Sequence, residues 1–165
     1  MNKDERLKLL NNINKGKQNR YGEIEYELSE NDRINGLRNI LLSSFEISFD
    51  SQQAQILSSI IYWNLCSTVT IRDATLRLVD EYYKIDAVRN GFLECLKNKY
   101  TLHSRINRIE SYLVDFTKLN LSIQKIIPDI IPLIESYQKE NEWEQYKEKI
   151  QRILNNYKIE INLEY

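Results

Sequence analysis

One histidine, His103, and two cysteines, Cys66 and Cys95, are all that the 165 residues offer to most metal sites, nucleophile–base pairs and redox motifs. The usual zinc arrangements need several cysteines or histidines at short spacing, and no Cys-x-x-Cys occurs. A di-iron carboxylate bundle needs Glu-x-x-His on two helices, and neither copy is found. The four glycines, Gly16, Gly22, Gly36 and Gly91, are too scattered to form a phosphate-cradling loop. Apolar stretches end quickly, Ile60-Ile61-Tyr62-Trp63 at Asn64 and Ile126-Ile127 at Pro128. None nears the roughly 20 residues of a bilayer span.

The opening residues Met1 to Arg6 are charged with no apolar run behind them, so no secretory signal is expected. Two cysteines in such a chain read as thiols in a reducing compartment, and a cytoplasmic location is the expectation. Cys95 and His103 lie eight residues apart with a turn expected between them, and no motif joins them as nucleophile and base. Cys95 falls on an apolar stripe with Val88 and Phe92, and core packing is expected for both cysteines. Helical ribonucleases of the HEPN type carry an arginine a few residues ahead of the histidine. Leu96, Lys97 and Asn98 stand there instead. Asp80 and Glu81 point about 100° apart on a helix and do not share a site. Glu140, Glu142 and Glu144 suit a helix start, where acids favour the dipole. No cofactor or metal ligand set emerges, and a non-enzyme is expected.

The chain does carry regular helix punctuation. At this length one domain, 1–165, buries roughly two-thirds of its unfolded surface. Asn2 with Glu5 forms a capping-box pattern ahead of Leu7, Leu10 and Ile13, with a stop near Gly16. Ser29 with Asp32 opens a second helix and Asp50 with Gln53 a third. Thr70 and Asp86 are the expected caps of the fourth and fifth. A sixth starts near Leu102 and carries the cleanest stripe, Leu102, Ile106, Ile109, Leu113 and Phe116. One continuous helix through Pro128 and Pro132 is not expected, since an interior proline costs about 3 kcal/mol. Asp129 would cap a fresh start there, and Asn141 with Glu144 a last helix.

Two segments, 23–28 and 159–165, alternate apolar and polar residues strictly and read as half-buried strands that could pair with each other or with a partner's sheet. The expected fold is all-α, a single-domain helical bundle or α–α array of six to eight helices with at most a small two-stranded β element. Val88 to Leu96 resembles the second helix of a HEAT repeat, with valine–arginine ahead of a small-residue and leucine stripe. Its nearest echo, Ile71-Arg72-Asp73-Ala74, lies 17 residues earlier, too close for that period.

Net charge is −1, but the charges are segregated. Residues 1–20 carry six basic and two acidic side chains, 21–83 four and ten, 84–108 six and two, and 109–165 seven and ten. Glu23, Glu25, Glu27, Glu30 and Asp32 put five carboxylates in ten residues with no cation before Arg33. With Tyr26, and with Tyr83 from a helix that is apolar around a wide arc, they form the expected partner-binding set. In Tyr62–Trp63 and Tyr82–Tyr83, neighbouring rings point to different sides, so one member of each pair is expected to leave the core. Charged rims set association rate and aromatic anchors supply affinity.

The leading expectation is a non-catalytic protein-binding module, in the form of a small bacterial immunity or inhibitor protein that covers the active site of a basic toxin or nuclease. The second is a nucleic-acid-binding accessory protein using the basic block 84–108. There Lys97, Lys99, Arg105 and Arg108 would meet phosphate and Tyr100 would stack on bases. A helix-turn-helix over Leu78 to Leu93 fails, with Tyr83 at the turn glycine position and Arg89 where an apolar residue belongs. No membrane partner is expected.

Overall fold

A computed structural model describes residues 1–161. Its helices are α1 (Lys3–Ile13), α2 (Glu30–Leu42), α3 (Ser51–Leu65), α4 (Val69–Glu81), α5 (Asp86–Leu93), α6 (Leu102–Lys118), α7 (Ile123–Tyr137) and α8 (Trp143–Asn156). One antiparallel ribbon, β1 (Gly16–Gln18) and β2 (Ile24–Tyr26), is the sheet among the described residues. The fold is all-α with a small two-stranded β element. No helix among the described residues is long and apolar enough to cross a membrane. The chain divides into two compact units, one over Met1–Phe92 and one from Leu93 onward.

In the first unit α1 packs on α2 and α3, and α4 on α2 and α3. Close approach is set by small residues. Gly91 of α5 leaves space that a Cβ would fill at 2.5 Å from the Ser58 carbonyl oxygen and 2.8 Å from Ile61 Cβ. The Ser58 hydroxyl donates to the Ala87 carbonyl at 2.6 Å, tying α3 to α5. Arg6 is fully buried, with no carboxylate among the described residues in hydrogen-bond contact. Its guanidinium donates to Gln53 Oε1 (2.8 Å), Ser43 Oγ (3.1 Å) and the carbonyls of Ile47 (2.6 Å) and Ser48 (2.7 Å), and lies 4.1 Å from the Phe49 ring centre. Burial lowers its pKa, which Asp50 partly opposes. This clamp shapes the connection from α2 to α3.

In the second unit α6 packs on α7 and α8, with its whole predicted stripe buried. Tyr137 donates its hydroxyl to the Leu96 carbonyl at 2.7 Å, and burial pushes its phenol pKa up. Asn120 and Lys158 take left-handed φ of 57° and 54°, closing α6 and α8. Leu121 N–H then reaches the Phe116 carbonyl and Ile159 N–H the Leu154 carbonyl, both at 2.8 Å, a six-to-one closure of each helix.

The caps at Asn2, Ser29 and Asp50 stand as expected, each side chain accepting from the backbone N–H three residues on. Others differ. Thr68, not Thr70, precedes α4, and its hydroxyl donates to Glu30 Oε1 at 3.3 Å instead of capping. Asp86 lies inside the first turn of α5. The Asn141–Glu144 box does not form: the chain is already turning at 140–142 and Glu142 is the N-cap of α8, making no side-chain cap bond. α7 runs unbroken through Pro128 and Pro132, with Asp129 in its interior. Both prolines are exposed and four residues apart, so the carbonyls they leave unpaired share one face open to water.

The ribbon also differs. Strand β2 pairs with β1, not with 159–165. Residues 159–161 are not in a strand, Ile159 being buried as the closing residue of α8, and 162–165 lie outside the described residues. Gly16 belongs to β1 instead of stopping α1, which ends at Ile13.

Candidate functional site

Strand β1 supplies the cations that β2 needs opposite its glutamates. The register sets Lys17 against Glu25, flanked by Gly16–Tyr26 and Gln18–Ile24. Glu27 N–H donates to the Lys15 carbonyl at 2.9 Å and Asn19 N–H to the Glu23 carbonyl at 2.8 Å. The hydrogen-bonded pairs are therefore 15/27, 17/25 and 19/23, and their side chains share one face. That face reads Lys15 and Lys17 opposite Glu27 and Glu25, with the Lys15–Glu27 pair at 3.9 Å. Two of the five carboxylates of the acidic run thus face a lysine across the ribbon, which its own ten residues do not disclose. The turn is built by Asn19, whose Oδ1 accepts from Tyr21 and Glu23 N–H (2.9 and 3.0 Å), and by Gly22 at φ 80°.

The opposite face carries Ile24 and Tyr26. Together with Asn14, Gly16 and Trp63 of α3 they line a hollow of about 300 Å³. Trp63 is 59% exposed and Ile24 47%. Asn14 and Trp63 also border a second hollow of about 450 Å³ along α1 and α3, edged by Asn11, Gln52, Gln55 and Ser59. Beneath Tyr26 lies Arg33, buried, with its guanidinium 3.5 Å from the ring centre. Arg33 donates to Asn14 Oδ1 (3.2 Å) and Asn64 Oδ1 (3.4 Å). No carboxylate among the described residues forms an ion pair with it. Desolvation pulls its pKa down, against the electrostatic pull of Tyr26 and Glu30. Arg33 therefore holds the Tyr26 ring, which roofs α2.

The expected partner-binding residues separate into two groups. Glu23, Glu25, Glu27, Glu30 and Asp32 are exposed, and Tyr26 is half-buried beside Trp63. Tyr83 is not among them: at 7% exposure it packs edge-on against Phe92, and Tyr82 is buried as well. Both rings point inward because α4 ends at Glu81, so 82 and 83 leave helical spacing. Trp63, which the sequence placed only as half of a ring pair, is an exposed aromatic, the member of the Tyr62–Trp63 pair that leaves the core. Its signal was position 63 on α3, off the Leu57–Ile61–Leu65 stripe.

Of the basic block, Arg105 is withdrawn from the surface while Lys97 and Lys99 stay exposed. Arg105 has a 3% exposed side chain and grips both carboxylate oxygens of Glu140, while its Nε donates to the Tyr100 carbonyl at 2.9 Å. Lys97 and Lys99 both pair with Glu94. Arg108 stands 5.8 Å from the Tyr112 ring and Tyr100 is half-buried beside Lys99. Cys95 is buried, as expected, whereas Cys66 is exposed because it sits one residue past the last turn of α3. His103 is exposed, with Nε2 3.0 Å from the Asn107 amide.

Comparison with known protein families, curated proteins and solved structures finds no match. The site is accordingly read from its own chemistry: an exposed indole and an isoleucine beside a hollow, bordered by a charged ribbon.

Proposed function

We propose that this chain is a non-catalytic protein-binding module, a small bacterial immunity or inhibitor protein that docks on a basic toxin or nuclease and covers its active site. One observation carries the reading: Trp63 and Ile24 stand exposed around a 300 Å³ hollow beside the ribbon bearing Glu23, Glu25 and Glu27. An exposed indole beside a cavity is the residue type that dominates binding energy at protein interfaces, and a charged margin steers a partner of opposite sign. The burial of Arg105 against Glu140 takes one expected phosphate contact off the surface, which supports the protein-binding reading over the nucleic-acid one.

The test uses the product of a gene adjacent to the one encoding this chain. Co-expression should relieve that product's toxicity, and the purified pair should associate. Exchanging Glu23, Glu25 and Glu27 for glutamine should slow association about tenfold at low salt and flatten its salt dependence. Association rates that stay the same would remove the acidic ribbon from the mechanism.

A further inference from the structure

Strand β2 has a free edge. Because the ladder bonds fall at 15/27, 17/25 and 19/23, with Glu27 N–H on the Lys15 carbonyl and Asn19 N–H on the Glu23 carbonyl, the main-chain N–H and C=O groups of Ile24 and Tyr26 point away from β1. No hydrogen-bond partner meets them among the described residues. The edge is accessible, since Glu23, Ile24 and Glu25 are all exposed. Its two faces differ sharply in chemistry. One presents Glu23, Glu25 and Glu27, and the other presents Ile24 and Tyr26 above the hollow shared with Trp63.

We propose that the free edge of β2 receives an extended segment of the protein partner in which lysine or arginine alternates with apolar residues. This rests on the protein-binding reading above and names the chemistry of what is bound. An added strand hangs alternate side chains to opposite faces. One set falls beside the glutamates, where cations gain a cross-strand partner. The other falls over the hollow, where apolar groups meet Ile24, Tyr26 and Trp63. A second copy of this chain is a poor occupant, because pairing β2 with β2 sets glutamates beside glutamates. The edge of β1 offers Gly16 and Gln18 in place of Ile24 and Tyr26, with no apolar ridge to grip.

The experiment uses the full chain, isotope-labelled, with a short peptide alternating lysine and valine and its glutamate–valine counterpart. Backbone amide exchange at Ile24 and Tyr26 should slow with the lysine peptide and stay at the free rate with the glutamate peptide. Ile24→Pro removes one outward N–H while sparing the ladder pairs, and should weaken lysine-peptide binding about tenfold. Replacing Glu23, Glu25 and Glu27 by lysine should reverse the preference between the two peptides. Unchanged exchange at both amides, equal binding of the two peptides, or a charge-reversed chain that keeps the original preference would each overturn the proposal. Concentration-dependent self-association that protects the same amides without any peptide would also overturn it, in favour of a second copy. Repeating the exchange with the natural partner separates this inference from the broader reading. Protection elsewhere on the surface discards the edge and keeps protein binding.

Discussion

Arg105 shows how burial changes what a charged residue is for. In the sequence it is one cation of a basic block; in the fold its guanidinium is buried, held by Glu140 and by the Tyr100 carbonyl, and lies 4.8 Å from the Tyr137 ring. The hydrogen bond to Glu140 raises its pKa against the desolvation that lowers it. Glu140→Gln keeps the shape and removes the charge that compensates the buried guanidinium. With Glu140 itself about one-third exposed, the expected loss is about 2–3 kcal/mol, read from urea midpoints. Glu94 titrates in the opposite sense to a buried acid. The hydrogen bond from Lys99, with help from Lys97, holds its carboxyl below the ordinary value of 4.5 despite desolvation. A depressed folded pKa means the stabilisation is complete above that value and is lost as pH falls through the folded one. Glu94→Gln should therefore flatten the decline in stability between about pH 5 and pH 3. None of these partnerships was legible in the sequence beyond the short step from Glu94 to Lys97, because Glu140 lies 35 residues from Arg105 and Gln53 lies 47 from Arg6.

Elements were more legible than contacts. Side-chain caps at Asn2, Ser29 and Asp50 are local hydrogen bonds, so three residues of sequence suffice to see them. The stripe of α6 was visible because one face of it is buried from end to end. Alternation located β2 but not its mate, since β1 is only three residues long and exposed on both faces. Lys15 and Lys17 facing Glu27 and Glu25, with Asn19 and Gly22 between, were the available signal. α7 escaped because the buried face of Ile126, Ile130, Ile134 and Tyr137 outweighs the local cost of two prolines whose freed carbonyls stand on a wetted face, and that packing is tertiary. Gly91 carries the sharpest test at this scale. Alanine favours helix by about 1 kcal/mol over glycine, yet its Cβ would press the Ser58 carbonyl and Ile61. Gly91→Ala should destabilise the chain by about 2 kcal/mol net, measured by chemical unfolding.

Across the whole molecule a net charge of −1 conceals where charge is available. Arg105, Lys97 and Lys99 of the basic block pair with Glu140 and Glu94, and two acids of the acidic run, Glu27 and Glu25, face Lys15 and Lys17. What the surface offers is therefore local: an indole, an isoleucine, a hollow and an open strand edge within the first unit. Fold class was readable from periodicity and capping, while the candidate site depended on which of two neighbouring rings turned outward at 62 and 63. The most direct measurement places a photo-activated crosslinking residue at position 24 and, separately, at position 99, in cells that make the chain. Position 24 should yield a covalent adduct to one basic protein, lost in the Trp63→Ala background, and position 99 should yield no nucleic-acid adduct. A nucleic-acid adduct at 99 with no protein adduct at 24 would rule out docking through the Trp63 face in favour of phosphate binding.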